Sequence, residues 1–507
     1  MDDKNAAFAQ DYLVNCRFLR TSEMRQTSKL LVVIVAASFL LGWRTQASSE
    51  EPVTSPQHAA QAIALKACSL PDIARAAQCG SISLPEHPGK PHARQIAVAV
   101  AILPARNGRA LPDPIVVLMG GPGESAIDAA AVHDRRLGRL LDDRDLLLID
   151  QRGTGRSAAL PCELVPNGDV LPLLADIFPT TAVAQCVKNL RSQADLTQYG
   201  YPNFARDVEQ VRRALGYGKL NLFGGSYGTR ALQVYLREYP ENVRTAYLGS
   251  VIPIDIATPA TMAATADGEL ERLFAVCAEN AACARAYPAL RGEFASLLGR
   301  LDRGEVRVSL PGRPGRHVLH RGPVAAWVRS RLYRPSSAAE LPWAIHRAYG
   351  GDWQPIVDGV LASAHPDLSF GSFFAITCNE DVRFLPQKRD QSGAAGFLGD
   401  YRVRQQQAAC RSWPSSPLPS GYRQPVRSNV PSLFVTGEND GGSPVWFTDH
   451  AALGFSNGAV LLAPGQGHTE WSDCISRRYE ALVESGEMAG LRRQACPAVP
   501  RPPFKIG

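Results

Sequence analysis

The sequence predicts an α/β fold: a mostly parallel sheet with helices on both faces and an inserted helical lid. Three observations carry this. Short apolar runs of strand length alternate with amphipathic helical stretches up to about residue 251, and again after about residue 427, the rhythm of a sheet covered on both faces. Several runs end in glycine-rich loops, and functional loops of such sheets gather at the carboxyl ends of strands. Between the two blocks the alternation stops and helical patterns replace it. The expected division is a leader over 1–47, the N-terminal part of the core over 48–251, the lid over 252–426 and the C-terminal part of the core over 427–507.

The leader is read from charge and hydropathy. Arg17, Arg20, Arg25 and Lys29 precede a largely apolar run at 30–41, and Thr45-Gln46-Ala47 follow it. That is the pattern of a secretory signal peptide cleaved after Ala47, with Met24 a second candidate for the initiator. The run is short for a bilayer span, so no stable membrane association is expected after cleavage; a retained anchor is the competing reading. Residues 48–65, polar and alanine-rich, are expected to be loosely ordered. At 507 residues one compact core is not expected. Hydrophobic residues at 45%, charged residues at 20% and a net charge of +6 describe an ordinary globular chain and give no footprint for nucleic acid.

Eleven cysteines fit an oxidising compartment. Cys16 lies in the leader, which leaves ten in sequence-near couples, without the clustered spacing of zinc sites. Up to five local disulfides are expected, neighbour pairing being the simplest connectivity: Cys277 with Cys283, Cys378 with Cys410 and Cys474 with Cys496 among them.

In chain order, residues 81–84 and 95–100 read as two strands joined by a Pro/Gly turn. Residues 114–119 form an apolar run ending in Gly120-Gly121-Pro122-Gly123, and 145–150 another, ending in Gln151-Arg152-Gly153-Thr154-Gly155-Arg156-Ser157. Gly153-x-Gly155 lacks the third glycine of a dinucleotide fingerprint. Phe204, Val208, Val211 and Leu215 trace a helix stopped by Gly216. Then comes the stretch around which the rest is arranged: a short strand at 219–222, Gly224-Gly225-Ser226-Tyr227-Gly228, and a helix marked by Ala231, Leu232, Tyr235, Leu236 and Tyr239. Gly-x-Ser-x-Gly between strand and helix is a nucleophile elbow, a tight turn that exposes the serine oxygen. Residues 244–249 read as the next strand. In the lid, helices are expected near 261–276, 291–301, 323–332 and 340–348, with Trp327, Trp343, Tyr349 and Trp353 mostly lid core. Strands return at 431–436 and 459–463.

A serine hydroxyl becomes nucleophilic when a positioned histidine takes its proton and a carboxylate orients that histidine. The strand ending at Thr436 runs into Gly437-Glu438-Asn439-Asp440-Gly441-Gly442-Ser443-Pro444, and the one ending at Ala463 into Pro464-Gly465-Gln466-Gly467-His468. Asp440 and His468 are thus the expected acid and base, with Glu438 the competing acid and His450 the rival base. The oxyanion of the tetrahedral intermediate needs N–H donors; Tyr227 and Gly121 are the expected sources. His317 and His320 have no acidic third ligand nearby, so no metal site is expected. Glu380 and Asp381 are candidates to bind a substrate ammonium in a lid pocket; the bland alternative is that they are solvated charges or lid salt bridges.

Together the Gly-Gly-Pro-Gly loop, Asp150 to Ser157, the elbow, Gly437 to Pro444 and Gly465 to His468 resemble the prolyl aminopeptidase family, and within it the secreted tripeptidyl aminopeptidase branch. The likeness spans about 68–496; Cys474 and Cys496 resemble that branch's C-terminal domain. It implies an alpha/beta-hydrolase fold, a helical lid, and removal of residues from peptides with a free N-terminus, without metal or other cofactor. The chain departs from the family at Met119, where many relatives have His, at Glu124, where a smaller residue is commoner, and at Gly441-Gly442, where an apolar residue or proline is usual. An esterase on the same scaffold and a catalytically dead binding protein are the alternatives.

Overall fold

The computed structural model describes residues 62–363, 368–385, 396–488 and 494–507. The leader at 1–47 and Cys16 lie outside them. Of the stretch expected to be loose, residues 62–65 are placed, and Ile63 is buried against the sheet.

The main sheet has ten strands: β1 (Lys66–Cys68), β2 (Ala77–Pro85), β3 (Gln95–Leu103), β4 (Ile115–Leu118), β5 (Leu146–Ile149), β6 (Leu220–Gly225), β7 (Val243–Gly249) and, after a lid hairpin of β8 (Arg307–Leu310) and β9 (Arg313–Val318), β10 (Ser432–Gly437), β11 (Gly458–Ala463) and β12 (Gln494–Ala495). Their order is β1-β2-β3-β5-β4-β6-β7-β10-β11-β12. Strands β4 to β7 and β10 to β12 pair in parallel, while β1, β2 and β3 form an antiparallel edge.

The near-continuous apolar runs are explained by burial on two sides. Along β4, Val116 and Leu118 enter one core while Ile115 and Val117 enter another; along β5, Leu147 and Ile149 oppose Leu146 and Leu148 in the same way. Side chains alternate across a strand, so a strand covered on both faces buries every position. Helices Tyr201–Ala214 and Gly228–Glu238 cover the first face, and Ala130–Leu137 and Asp473–Ser485 the second.

Residues 252–426 do hold the expected helices, at Met262–Glu279, Leu290–Asp302, Arg321–Arg331 and Leu341–Tyr349. Trp327 and Trp353 are buried among them, whereas Tyr349 is exposed. Two features were not expected. One is the β8–β9 hairpin. The other is that residues 160–199, assigned to the core, join the lid. Leu160, Phe178, Val183, Val187 and Tyr199 pack with Phe370, Phe373 and Phe374 of helix Phe370–Glu380, and Leu174 enters the lid's own core. Residues 160–199 and 252–426 therefore share hydrophobic clusters.

Disulfides join Cys68 to Cys79, Cys162 to Cys186, Cys277 to Cys283, Cys378 to Cys410 and Cys474 to Cys496. Each links sequence neighbours, as the simplest connectivity required.

Candidate active site

Strand β6 delivers Ser226 at its carboxyl end with φ +53°, a left-handed conformation that costs a non-glycine residue free energy and marks functional turns. Three hydrogen bonds hold it: Ser226 N–H donates to Gly249 O at 3.0 Å, and Ser226 O accepts from Thr229 N at 2.9 Å and Thr229 Oγ1 at 2.6 Å. The elbow needs its glycines because a Cβ on Gly228 would collide with the Leu118 carbonyl of β4.

The loops after β10 and β11 bring the other two groups. His468 Nε2 lies 2.9 Å from Ser226 Oγ, and His468 Nδ1 lies 2.9 and 3.0 Å from the two oxygens of Asp440. Asp440 is buried and accepts from Gly442 N, Ser443 N and Ser443 Oγ, each at 2.8 Å. Burial pushes its carboxyl up, but the charge of His468 and hydrogen bonds from His468, Ser443 and Ser250 outweigh that and hold it below the ordinary carboxylate range. The acid is ionised where the imidazole needs it. Glu438 points elsewhere, accepting from Gly465 N at 3.1 Å, and His450 pairs with Asp255 at 2.6 Å.

The Gly120–Gly123 loop passes over the serine: a Cβ on Gly120 would lie 3.2 Å from Ser226 Cβ and 3.5 Å from Tyr227 N. Among the described residues neither the Tyr227 nor the Gly121 amide donates to a protein acceptor. Asp150, buried at the end of β5, fixes this loop by accepting from Ser125 Oγ at 2.8 Å and Ile127 N at 3.0 Å, and reaches its own loop through Arg156 N at 2.9 Å. From the lid, Ser369 N donates to Gly123 O at 3.0 Å and Ser369 Oγ to Gly153 O at 2.6 Å. The two glycine-rich loops are one scaffold.

Tyr333, which sequence reasoning missed, ties the lid to the base. Its carbonyl accepts from His468 N at 2.6 Å, and its ring sits 4.9 Å from the imidazole. The Gly441-Gly442 departure was the available signal: a Cβ on Gly442 would lie 2.9 Å from His468 Nδ1 and 3.2 Å from Tyr333 Cζ. Histidine and lid tyrosine take the space that a side chain would fill.

Glu380 and Asp381, the candidates for a substrate ammonium, lie inside the fold, and Asp381 is in an ion pair. They end helix Phe370–Glu380, fully buried, with protein groups on both carboxylates. Asp381 pairs with buried Arg230 at 2.9 Å and accepts from Tyr227 OH at 3.1 Å and Thr258 N at 3.0 Å. Glu380 accepts from Tyr201 N at 2.9 Å and from Tyr422 OH. Burial pushes the Glu380 carboxyl up to about 7, against those hydrogen bonds. The reason is steric closure: the last turn of the helix enters the core under the elbow, and Arg230 and Tyr422, far away in sequence, meet it there. No group of three or more potential metal ligands occurs among the described residues.

Residues 113–279 match the alpha/beta hydrolase fold family, and residues 395–496 match the family described as TAP-like protein. The chain has the alpha/beta hydrolase fold. Its relatives include proteins named as serine peptidases. It is 26% identical to the serine protease Hip1 of Mycobacterium tuberculosis over 467 residues, 81% of this chain and 85% of that one. It is 32% identical over 196 residues to the tripeptidyl aminopeptidase of Streptomyces lividans, 34% of this chain and 35% of the relative. It is 32% identical over 143 residues to the proline iminopeptidase of Aeromonas sobria, 28% and 29% of the two chains.

Proposed function

We propose that the protein is an exported serine peptidase that hydrolyses peptide bonds near free N-termini, of the prolyl or tripeptidyl aminopeptidase type, with Ser226, His468 and Asp440 as its catalytic triad. One observation carries the reading: a single imidazole bridges the elbow serine and a buried, ionised carboxylate. Ser226 Oγ attacks the scissile carbonyl while His468 Nε2 takes its proton; the imidazolium, stabilised by Asp440, then gives that proton to the leaving amine. The acyl-enzyme is released by water with His468 again as base. The amides of Tyr227 and Gly121 receive the oxyanion. Export is supported by five disulfides, which persist in oxidising compartments, and by the leader pattern at 1–47.

The test is a panel of fluorogenic mono-, di- and tripeptide amides, with and without proline and with free or acetylated N-termini, beside simple esters. Free-amine peptide amides should be turned over and their acetylated counterparts should not. Ser226→Ala should lose on the order of 10⁴- to 10⁶-fold in kcat. Turnover of esters alone would replace the peptidase reading with an esterase.

A further inference from the structure

Most buried arginines of the described residues have a carboxylate: Arg144 has Asp113, Arg152 has Asp207 and Arg230 has Asp381. Two arginines beside the triad do not. Arg329, on lid helix Arg321–Arg331, is 7% exposed, its Nε has no hydrogen-bond partner, and its guanidinium lies 5.0 Å over the ring of Tyr333. Tyr333 is the residue whose ring lies against His468, tilted by 46° at 4.9 Å. Arg402, on helix Tyr401–Cys410, is half-buried over Phe178 at 4.8 Å and Phe373 at 5.8 Å, and its polar partner is the neutral Gln406 Oε1 at 3.0 Å. It lies within electrostatic reach of Tyr227, Tyr333 and Arg329. Nearby acids are engaged elsewhere: Asp400 accepts from Arg404 Nε at 2.7 Å, and Asp176 accepts from Gln405 Nε2 at 2.5 Å.

Two like charges held close together and largely out of water without a counterion are unfavourable until an anion joins them. Burial pulls the Arg402 guanidinium down to about 10, and the charge of Arg329 adds to that. Aromatic faces hold both guanidinium groups in place, and a planar fork of N–H donors suits a carboxylate.

We propose that Arg329 and Arg402 form a carboxylate-binding subsite beside the triad, which selects short peptides carrying an acidic group. The proposal rests on the peptidase reading above. The carboxylate is either an Asp or Glu side chain or the C-terminus of a short peptide.

Matched substrates separate the two sources. One series is tripeptide coumarylamides, with no free C-terminus, carrying Glu or Gln at each position in turn. The other is tetrapeptides ending in a free acid or an amide. One series should show a kcat/KM preference for the charged member of roughly 10- to 100-fold. Arg329→Gln and Arg402→Gln should each bring that ratio towards one, and Arg402→Lys should restore part of it. Thermal unfolding identifies a variant that has merely lost its fold, in which case the Lys variant decides. A wild-type ratio near one in both series, or a ratio that none of the variants moves, overturns the subsite. Calorimetric binding of the tetrapeptides and of Glu and Gln tripeptides to Ser226→Ala gives the same comparison without turnover. If no peptide is hydrolysed but charged members still bind more tightly through Arg402, the peptidase reading fails and the subsite stands. Equal binding of both members rejects the subsite.

Discussion

Asp440 and Asp381 are both buried carboxylates next to the strand and helix that flank Ser226, yet their partners are opposite in kind. Asp440 faces His468, a group that gains and loses protons, and its oxygens are held by the short Gly442–Ser443 turn. Asp381 faces Arg230, which stays charged throughout, and its remaining bonds lead to Tyr227 and Thr258. On the proposed reading, the acid paired with an imidazole serves chemistry, and the one locked to a guanidinium holds elements together. Burial does not distinguish them, but the partner does.

The sharpest way to break the comparison is to neutralise each acid. Asp440→Asn should lose on the order of 10⁴-fold in kcat, with a comparatively small change in unfolding free energy. Asp381→Asn should do the reverse. It leaves Arg230 buried without a counterion, which costs about 3–5 kcal/mol of stability, while activity per folded molecule falls far less. Denaturant unfolding and active-site titration of both variants measure this. A catalytic collapse in well-folded Asp381→Asn would make that acid part of the chemistry.

A smaller effect separates Glu380 from both. Its carboxyl keeps its proton up to about pH 7 in the folded protein, against 4.5 ordinarily. The native state therefore binds more protons than the unfolded one between those values, so stability falls as pH rises from about 4.5 to about 7. The contribution is complete below 4.5 and amounts to about 3 kcal/mol. Glu380→Gln should flatten this part of the stability profile. An unchanged slope would mean that Glu380 is ionised in its pocket.

Much of this arrangement is legible in the sequence, for physical reasons. Strands β4 and β5 are apolar without interruption because they are buried on both faces, β6 and β10 depart from this only at Asn221, Ser432 and Thr436, and the loops that follow are glycine-rich because they approach one another closely. The serine, acid and base follow from those loops. The lid is harder to read. Residues 160–199 have no strand–helix rhythm and gain their packing from Phe370, Phe373 and Phe374, some two hundred positions later. The hairpin strand Arg313–Val318 is mostly exposed, so no apolar alternation marks it. Glu380-Asp381 shows two acids but not the arginine and tyrosines that enclose them. Tyr333 is one lid residue among many until the histidine loop is brought against it.

On the proposed reading, His468 and Asp440 activate Ser226. Labelling with a fluorophosphonate, followed by peptide mapping under non-reducing conditions, tests it most directly. The reagent should modify Ser226 alone, His468→Ala should abolish the modification, and the map should recover the five disulfide-linked cysteine pairs. An unlabelled Ser226 in folded protein, or labelling that persists without His468, would contradict the account.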